Sequence, residues 1–267
     1  MKSVLLFLFL LTNLVIFSNP TTIVLGHEEN NFPWVFPYEK GKDGCDGIDV
    51  EFIKILEKKL KISIKLVIYP WSRCLSEMKD GKIDGVFPSS YKKDREEMGL
   101  YPYTADKKVD ESKYIHISGY SLYIMADSKI EFDGTNFKNL DGKIGAQRTF
   151  SIIPELKKIG VEVDESTMDP VLLFKMLENG RIKAATIQTA RGDDILKNND
   201  NFNKKMIKYP TDKGIFSQKP YFIQISHQLV SKYPDFSKLF YSTIEEIRNS
   251  KEFKNIEIDF YKRISTN

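Results

Sequence analysis

The sequence predicts an α/β protein of two lobes, each an open, mostly parallel sheet flanked by helices, with two hinge strands joining them. Three observations predict it. Short apolar runs alternate with amphipathic helical stretches along most of the chain, the pattern of strands and crossover helices. The alternation is interrupted around Ser118-Gly119 and again over Pro210 to Pro220, where the chain can leave one lobe and return to it. Beyond an apolar leader, about 250 residues remain, enough for two modest lobes. The division read from these signals is 1–18 leader, 19–118 first lobe, 119–212 second lobe and 213–267 return to the first.

The leader comes first. Lys2 is followed by a nearly unbroken apolar run from Val4 to Phe17, with Ser18 a small residue at its end. The run is short for a membrane span, so it reads as a cleaved secretory signal peptide; the alternative is an uncleaved N-terminal anchor. No cysteine sits near the cut to carry a lipid anchor. The mature chain is therefore expected to be soluble and exported. Ile23-Val24-Leu25 suits a buried strand, and a long loop with Phe32, Trp34, Phe36 and Tyr38 among prolines follows. Asp49 reads as the N-cap of a helix to Leu60, with Phe52, Ile55 and Leu56 at helical spacing. Ile62, Ile64, Leu66 and Ile68 alternate as a strand. A helix over Ser72 to Lys79 and a strand at Val86-Phe87 complete a doubly wound unit.

The second lobe repeats the pattern. Tyr114 to Ile117 and Leu122 to Met125 flank the first crossing point. Ile144 to Ala146 is a strand, and Ser151 is a candidate N-cap for a helix through Ile159. Val161 and Val163 form another strand, Pro170 to Asn179 a helix closed by Gly180, and Ile182 to Ile187 a strand before a helix over Ala190 to Lys197. Lys205 to Lys208 leads back toward the first lobe, a strand over Phe222 to Ile225 follows the second hinge, and helices over Asp235 to Arg248 and from Lys251 to about Tyr261 end the chain.

Composition excludes several functions. The net charge is +3 and spread out, unlike the clustered basic face of a nucleic-acid binder, so no nucleic-acid partner is expected. The three histidines, His27, His116 and His227, lack metal-ligand spacing, so no metal and no cofactor is expected. Two cysteines, Cys45 and Cys74, in an exported chain suggest a disulfide closing a loop of about 29 residues and worth ~3 kcal/mol; the alternative is two buried free thiols.

The stretch Gly81 to Met98 carries the clearest functional signal. A polar turn leads into the strand Val86-Phe87, then Ser89-Ser90-Tyr91, then a charged segment holding Arg95. Small ligands bind beyond the carboxyl ends of strands in open α/β sheets, so Arg95 is a candidate carboxylate clamp. It can equally pair with Asp94 or Glu96 on a solvated helix.

Pro70-Trp71-Ser72-Arg73-Cys74-Leu75, Gly81-Lys82-Ile83-Asp84-Gly85, Asp94-Arg95-Glu96 and Leu140-Asp141-Gly142-Lys143-Ile144-Gly145 occur in this order and spacing. Together they resemble the bacterial extracellular solute-binding proteins of family 3, receptors of polar amino acid ABC transporters with a periplasmic-binding-protein-like fold. The resemblance implies a monomeric receptor whose partners are a small polar ligand and a membrane permease or receptor. It implies that Arg95 pairs the ligand carboxylate, with Ser90 nearby and Thr149 and Ser151 at the anion-binding turn of the second lobe. Arg148 either points into the cleft or caps that turn. Trp71, Trp34 and Tyr91 can stack on the ligand or cover the core. The family's ammonium-binding acid falls on Gln188, and the usual aspartate nearby is Lys183. A glutamine does not offset a buried positive charge, so the resemblance leaves the ligand's amine unaccounted for.

Three functions follow. The leading one is an exported binding protein that captures a small carboxylate-bearing ligand, an amino acid or derivative, for an ABC-type permease. The alternatives are a ligand-sensing receptor on the same fold and a dehydratase-like enzyme. No acid/base pair is visible in the expected cleft, so no enzymatic activity and no catalytic residue is expected.

Overall fold

The structure is a computed structural model that describes residues 19–209 and 216–265. The proposed signal segment at 1–18 and residues 210–215 of the proposed second hinge lie outside the described residues. No helix among the described residues is long and apolar enough to cross a membrane.

The chain begins with β1 (Thr22–His27), β2 (Phe36–Lys42), β3 (Cys45–Asp46), α1 (Ile48–Leu60), β4 (Ser63–Ile68), α2 (Trp71–Lys79) and β5 (Gly85–Ser90). A 3-10 turn at Lys93–Glu97 follows, and then the long strand β6 (His116–Met125). Next come β7 (Glu131–Phe132), β8 (Phe137–Lys138), β9 (Ile144–Ala146), α3 (Ile153–Lys158), β10 (Val163–Asp164), α4 (Pro170–Glu178), β11 (Ala184–Gln188), α5 (Thr189–Lys197), α6 (Asp200–Lys205) and β12 (Met206–Lys208). A second long strand, β13 (Ser217–Ile225), precedes α7 (His227–Lys232), α8 (Phe236–Asn249) and α9 (Lys251–Ser265).

One sheet runs through the molecule in the order β10-β9-β11-β6-β13-β5-β1-β4. Its two ends are parallel: β1 with β4 and β5, and β9 with β10 and β11. The two long strands in the middle, β6 and β13, run antiparallel to each other and join the ends. Ser118 and Gly119 are not a break but the middle of β6, paired with Lys219 and Gln218 of β13. Residues 217–220 of the expected second hinge are likewise strand. β12 pairs with β6 rather than with the first end of the sheet.

Period-two alternation explains how β1 holds two cores apart. Ile23 and Leu25 join the cluster with α1, α8 and α9, whereas Val24 packs on the opposite face with α2 residues Trp71, Leu75 and Met78. α1 buries Phe52, Ile53 and Leu56 against Phe240, Ile244 and Phe253, and each such burial contributes about 1.5–3 kcal/mol. Lys61 ends α1 in the left-handed conformation. Two expected caps are displaced. Gly47 occupies the N-cap of α1 because its φ of 139° is one glycine adopts freely, and Asp49 turns inward to His116. Ser151 lies outside α3, its hydroxyl bound to Ser90.

The same alternation overturns the expected disulfide. Cys45 and Cys74 are both buried free cysteines. Cys45 Sγ lies 3.4 Å from His27 Nε2, on the α1 face of β1. Cys74 Sγ donates to the Tyr69 carbonyl at 3.4 Å, on the α2 face, where a Cβ at Gly26 would meet it at 3.3 Å. The sheet separates the two sulfurs, and a bridge cannot form through a strand. Burial also raises both thiol pKa values, that of Cys74 to about 12. The expected result of thiol titration is no reaction in the native protein and two reactive thiols in denaturant; absence of thiol in denaturant would restore the disulfide.

Candidate functional site

Strand ends from both ends of the sheet converge on one cleft. Glu28 follows the last residue of β1, Ser90 ends β5, Gln147 follows β9 and Gln188 ends β11. Tyr120 and Tyr221 reach it from the two middle strands. This is the placement expected of a ligand site in an open α/β sheet. A cavity of about 390 Å³ is lined by Glu28, Tyr69, Trp71, Gln147, Gln188 and Arg191 among others. A narrow inner recess shares Glu28, Trp71 and Gln188 and reaches Ser90, Arg95 and Tyr221.

Arg95 is buried in the 3-10 turn after β5, not on a solvated helix. Its Nη1 donates to the Ser90 carbonyl at 2.7 Å and its Nη2 to the Thr149 carbonyl at 2.9 Å. Its Nε is buried without a hydrogen-bond partner among the described residues, and Cζ stands 5.2 Å from the centre of the Trp71 ring. Asp94 and Glu96 take other cations, Lys92 and Lys93 respectively, so the expected surface pairing of Arg95 does not form. Ser90 Oγ and Ser151 Oγ are 2.7 Å apart, which ties the end of β5 to the turn before α3.

Thr149 sits in that turn at φ 68°, a left-handed conformation that costs a threonine about 1–2 kcal/mol and a glycine nothing. Its hydroxyl is buried without a hydrogen-bond partner among the described residues. Gln188 Nε2 donates to Tyr221 Oη at 2.9 Å, and Tyr221 Oη donates to Tyr120 Oη at 3.2 Å.

Three expected residues are not brought to the cleft. Trp34 lies in the core, its ring stacked on His116 with centroids 3.7 Å apart. Tyr91 is exposed and donates to Glu96 at 2.8 Å. Arg148 turns away to the carbonyls of Glu165 and Ser166, so it braces the turn rather than entering the cleft.

The structure adds two residues that the sequence does not single out. Glu28 lines both the cavity and its inner recess, and no hydrogen bond holds its carboxyl among the described residues. Burial pushes its pKa up to about 7, against the pull of the Arg95 and Arg191 guanidinium groups. Arg191, in the first turn of α5, lines the cavity and donates to Asp194 at 2.9 Å. A carboxyl left unpaired in a cleft with a raised pKa is a functional signature. The signal available in the sequence is position: Glu28 stands just beyond the carboxyl end of a predicted strand.

Residues 23–263 match the bacterial extracellular solute-binding proteins, family 3. The chain belongs to that family. Family 3 membership makes it a ligand-binding protein, and solved structures share its fold. One is an ancestral arginine-binding protein bound to glutamine, 20% identical, TM-score 0.67, covering 91% of this chain and 99% of that one. Another is the substrate-binding protein of an amino acid ABC transporter, 19% identical, TM-score 0.65, covering 90% of this chain and 99% of that one. A third is a histidine kinase sensor domain similar to periplasmic binding proteins, 17% identical, TM-score 0.66, covering 91% and 96%. No curated protein matches the chain.

Proposed function

We propose that this protein is an exported receptor that captures a small zwitterionic molecule, an amino acid or close derivative, and presents it to an ABC-type permease. The observation that carries this reading is charge placement: Arg95 and Glu28, opposite in sign, line one narrow recess. A guanidinium recognises a carboxylate through paired hydrogen bonds, and a carboxylate offsets an ammonium in a desolvated site. Glu28, from the first end of the sheet, thus supplies the acid that Gln188 lacks. Gln188 contributes a neutral amide, and Trp71 a flat apolar wall beside the guanidinium. Phe150 lines the recess from the second end of the sheet, and its neighbours Thr149 and Ser151 hold that turn against Arg95 and Ser90.

The two middle strands serve as the hinge on which the lobes close. The amino-acid ligand of one structural neighbour, and the ABC transporter in the name of another, agree with this reading. A thermal-shift screen against amino acids, organic acids and polyamines tests it. Amphoteric α-amino acids are expected to raise the melting temperature, by about 2.7 kcal/mol of added stability at a hundredfold excess over the dissociation constant. Stabilisation by polyamines or dicarboxylates alone would overturn the zwitterion assignment.

A further inference from the structure

The turn Gln147–Ser151 is held from three directions. Arg95 and Ser90 grip it inside the recess, and a third grip lies outside. Lys219 on β13 donates to the Ser151 carbonyl at 2.7 Å and pairs with Glu155 of α3. Ser217, two residues earlier and so on the same face of β13, donates to the other oxygen of Glu155 at 2.8 Å. The Lys219 side chain is only 11% exposed, and its ammonium lies 5.8 Å from the centre of the Tyr120 ring. None of Lys219, Glu155 and Ser217 lines the cavity or its recess.

We infer that Lys219 is a positioning residue for the site: it latches the Thr149–Ser151 turn to the middle strand β13 and so holds the cleft closed independently of ligand contacts. The inference rests on the two-lobe capture reading above. Its physical basis is a division of labour between contacts. Groups that line the recess exchange partners when a ligand enters; the Lys219 contacts do not, because no ligand atom reaches them. Where opening separates the turn from β13, these contacts are lost with no ligand contact to replace them, and their interaction free energy then acts on the open–closed equilibrium. A lysine is well suited because three donors on one ammonium can serve a carbonyl and a carboxylate together. Burial pulls the ammonium pKa down, and the adjacent Glu155 carboxylate opposes that pull.

The test measures the closure itself. Lys65→Cys and Lys175→Cys place spin labels at exposed sites on opposite ends of the sheet, while native Cys45 and Cys74 are buried and take no label. Electron–electron distance measurement without added ligand is expected to show mainly a short separation in the otherwise native chain. Lys219→Met is expected to lower the closed-to-open ratio about tenfold, the effect of losing a charged hydrogen bond, and Lys219→Arg to preserve it. Glu155→Gln, at a more exposed position, gives the same direction if Lys219→Met fails to fold. Overlaying distance distributions for the native chain and both variants, with a ligand found in the thermal-shift screen, overturn the latch and leave the capture reading standing. The same overlay with no ligand found overturns both. A shift toward longer distances in Lys219→Met, reversed in Lys219→Arg, supports the latch whichever ligand the screen identifies.

Discussion

Replacing Arg95 with alanine is expected to weaken ligand binding by about 3 kcal/mol, roughly a hundredfold. The guanidinium is buried and bound to the Ser90 and Thr149 carbonyls, so its loss removes the carboxylate partner and takes the donor from the Thr149 carbonyl, while the Ser90 carbonyl keeps the Tyr101 hydroxyl at 2.9 Å. Arg95→Lys separates the two effects. It keeps a charge in the recess but cannot span both carbonyls and a ligand with a fixed fork, so its affinity should fall between those of the native chain and alanine. Calorimetric titration with the molecule selected by the thermal-shift screen measures both. Unchanged affinity in Arg95→Ala would remove Arg95 from the site.

Glu28 carries the second large effect, and it depends on pH. Its carboxyl titrates at about 7 in the folded protein against an ordinary 4.5. Capture of an ammonium requires the ionised form. Affinity should therefore level off above about pH 7 and fall toward tenfold per unit well below it, where the unbound carboxyl is fully protonated, until the carboxyl in the complex itself takes a proton. The same raised pKa means that the folded state holds its proton more tightly than the unfolded one. The stability contributed by protonated Glu28 is present in full below pH 4.5 and is lost as the pH rises through about 7. Glu28→Gln should reduce affinity at pH 8 by about 2 kcal/mol, roughly thirtyfold, and abolish both pH dependences. Binding curves for this variant that still bend near pH 7 would assign the titration to another group.

Much of the fold is legible in the amino-acid sequence alone. The periodicity of Phe52, Ile55, Leu56 and Leu60 marks α1, and the alternation of Ile62 to Ile68 marks β4, because burial on one face imposes those periods. Arg95 is legible as a candidate because it follows a strand and two serines. Its surroundings are not: whether it meets Glu96 or two buried carbonyls depends on the 3-10 turn and on the approach of the Thr149 turn from the other end of the sheet. Trp34 and Trp71 both stand beside prolines, yet one stacks on His116 in the core and the other faces the recess. Local sequence carries no information on which side of a sheet an irregular loop will cover.

By itself, the sequence determined the order of the main core strands and helices and the family, and it singled out Arg95 as a candidate. These depend on short-range periodicity and on motifs whose residues are neighbours in the chain. Only the tertiary structure decided that Cys45 and Cys74 are separated by β1, that Glu28 is an acid in the cleft with no hydrogen bond to its carboxyl among the described residues, and that Lys219 grips α3 from a middle strand. Each of these depends on which faces and ends of distant strands meet. Sheet order and register set those meetings, and they bring together residues far apart in sequence that no local pattern links.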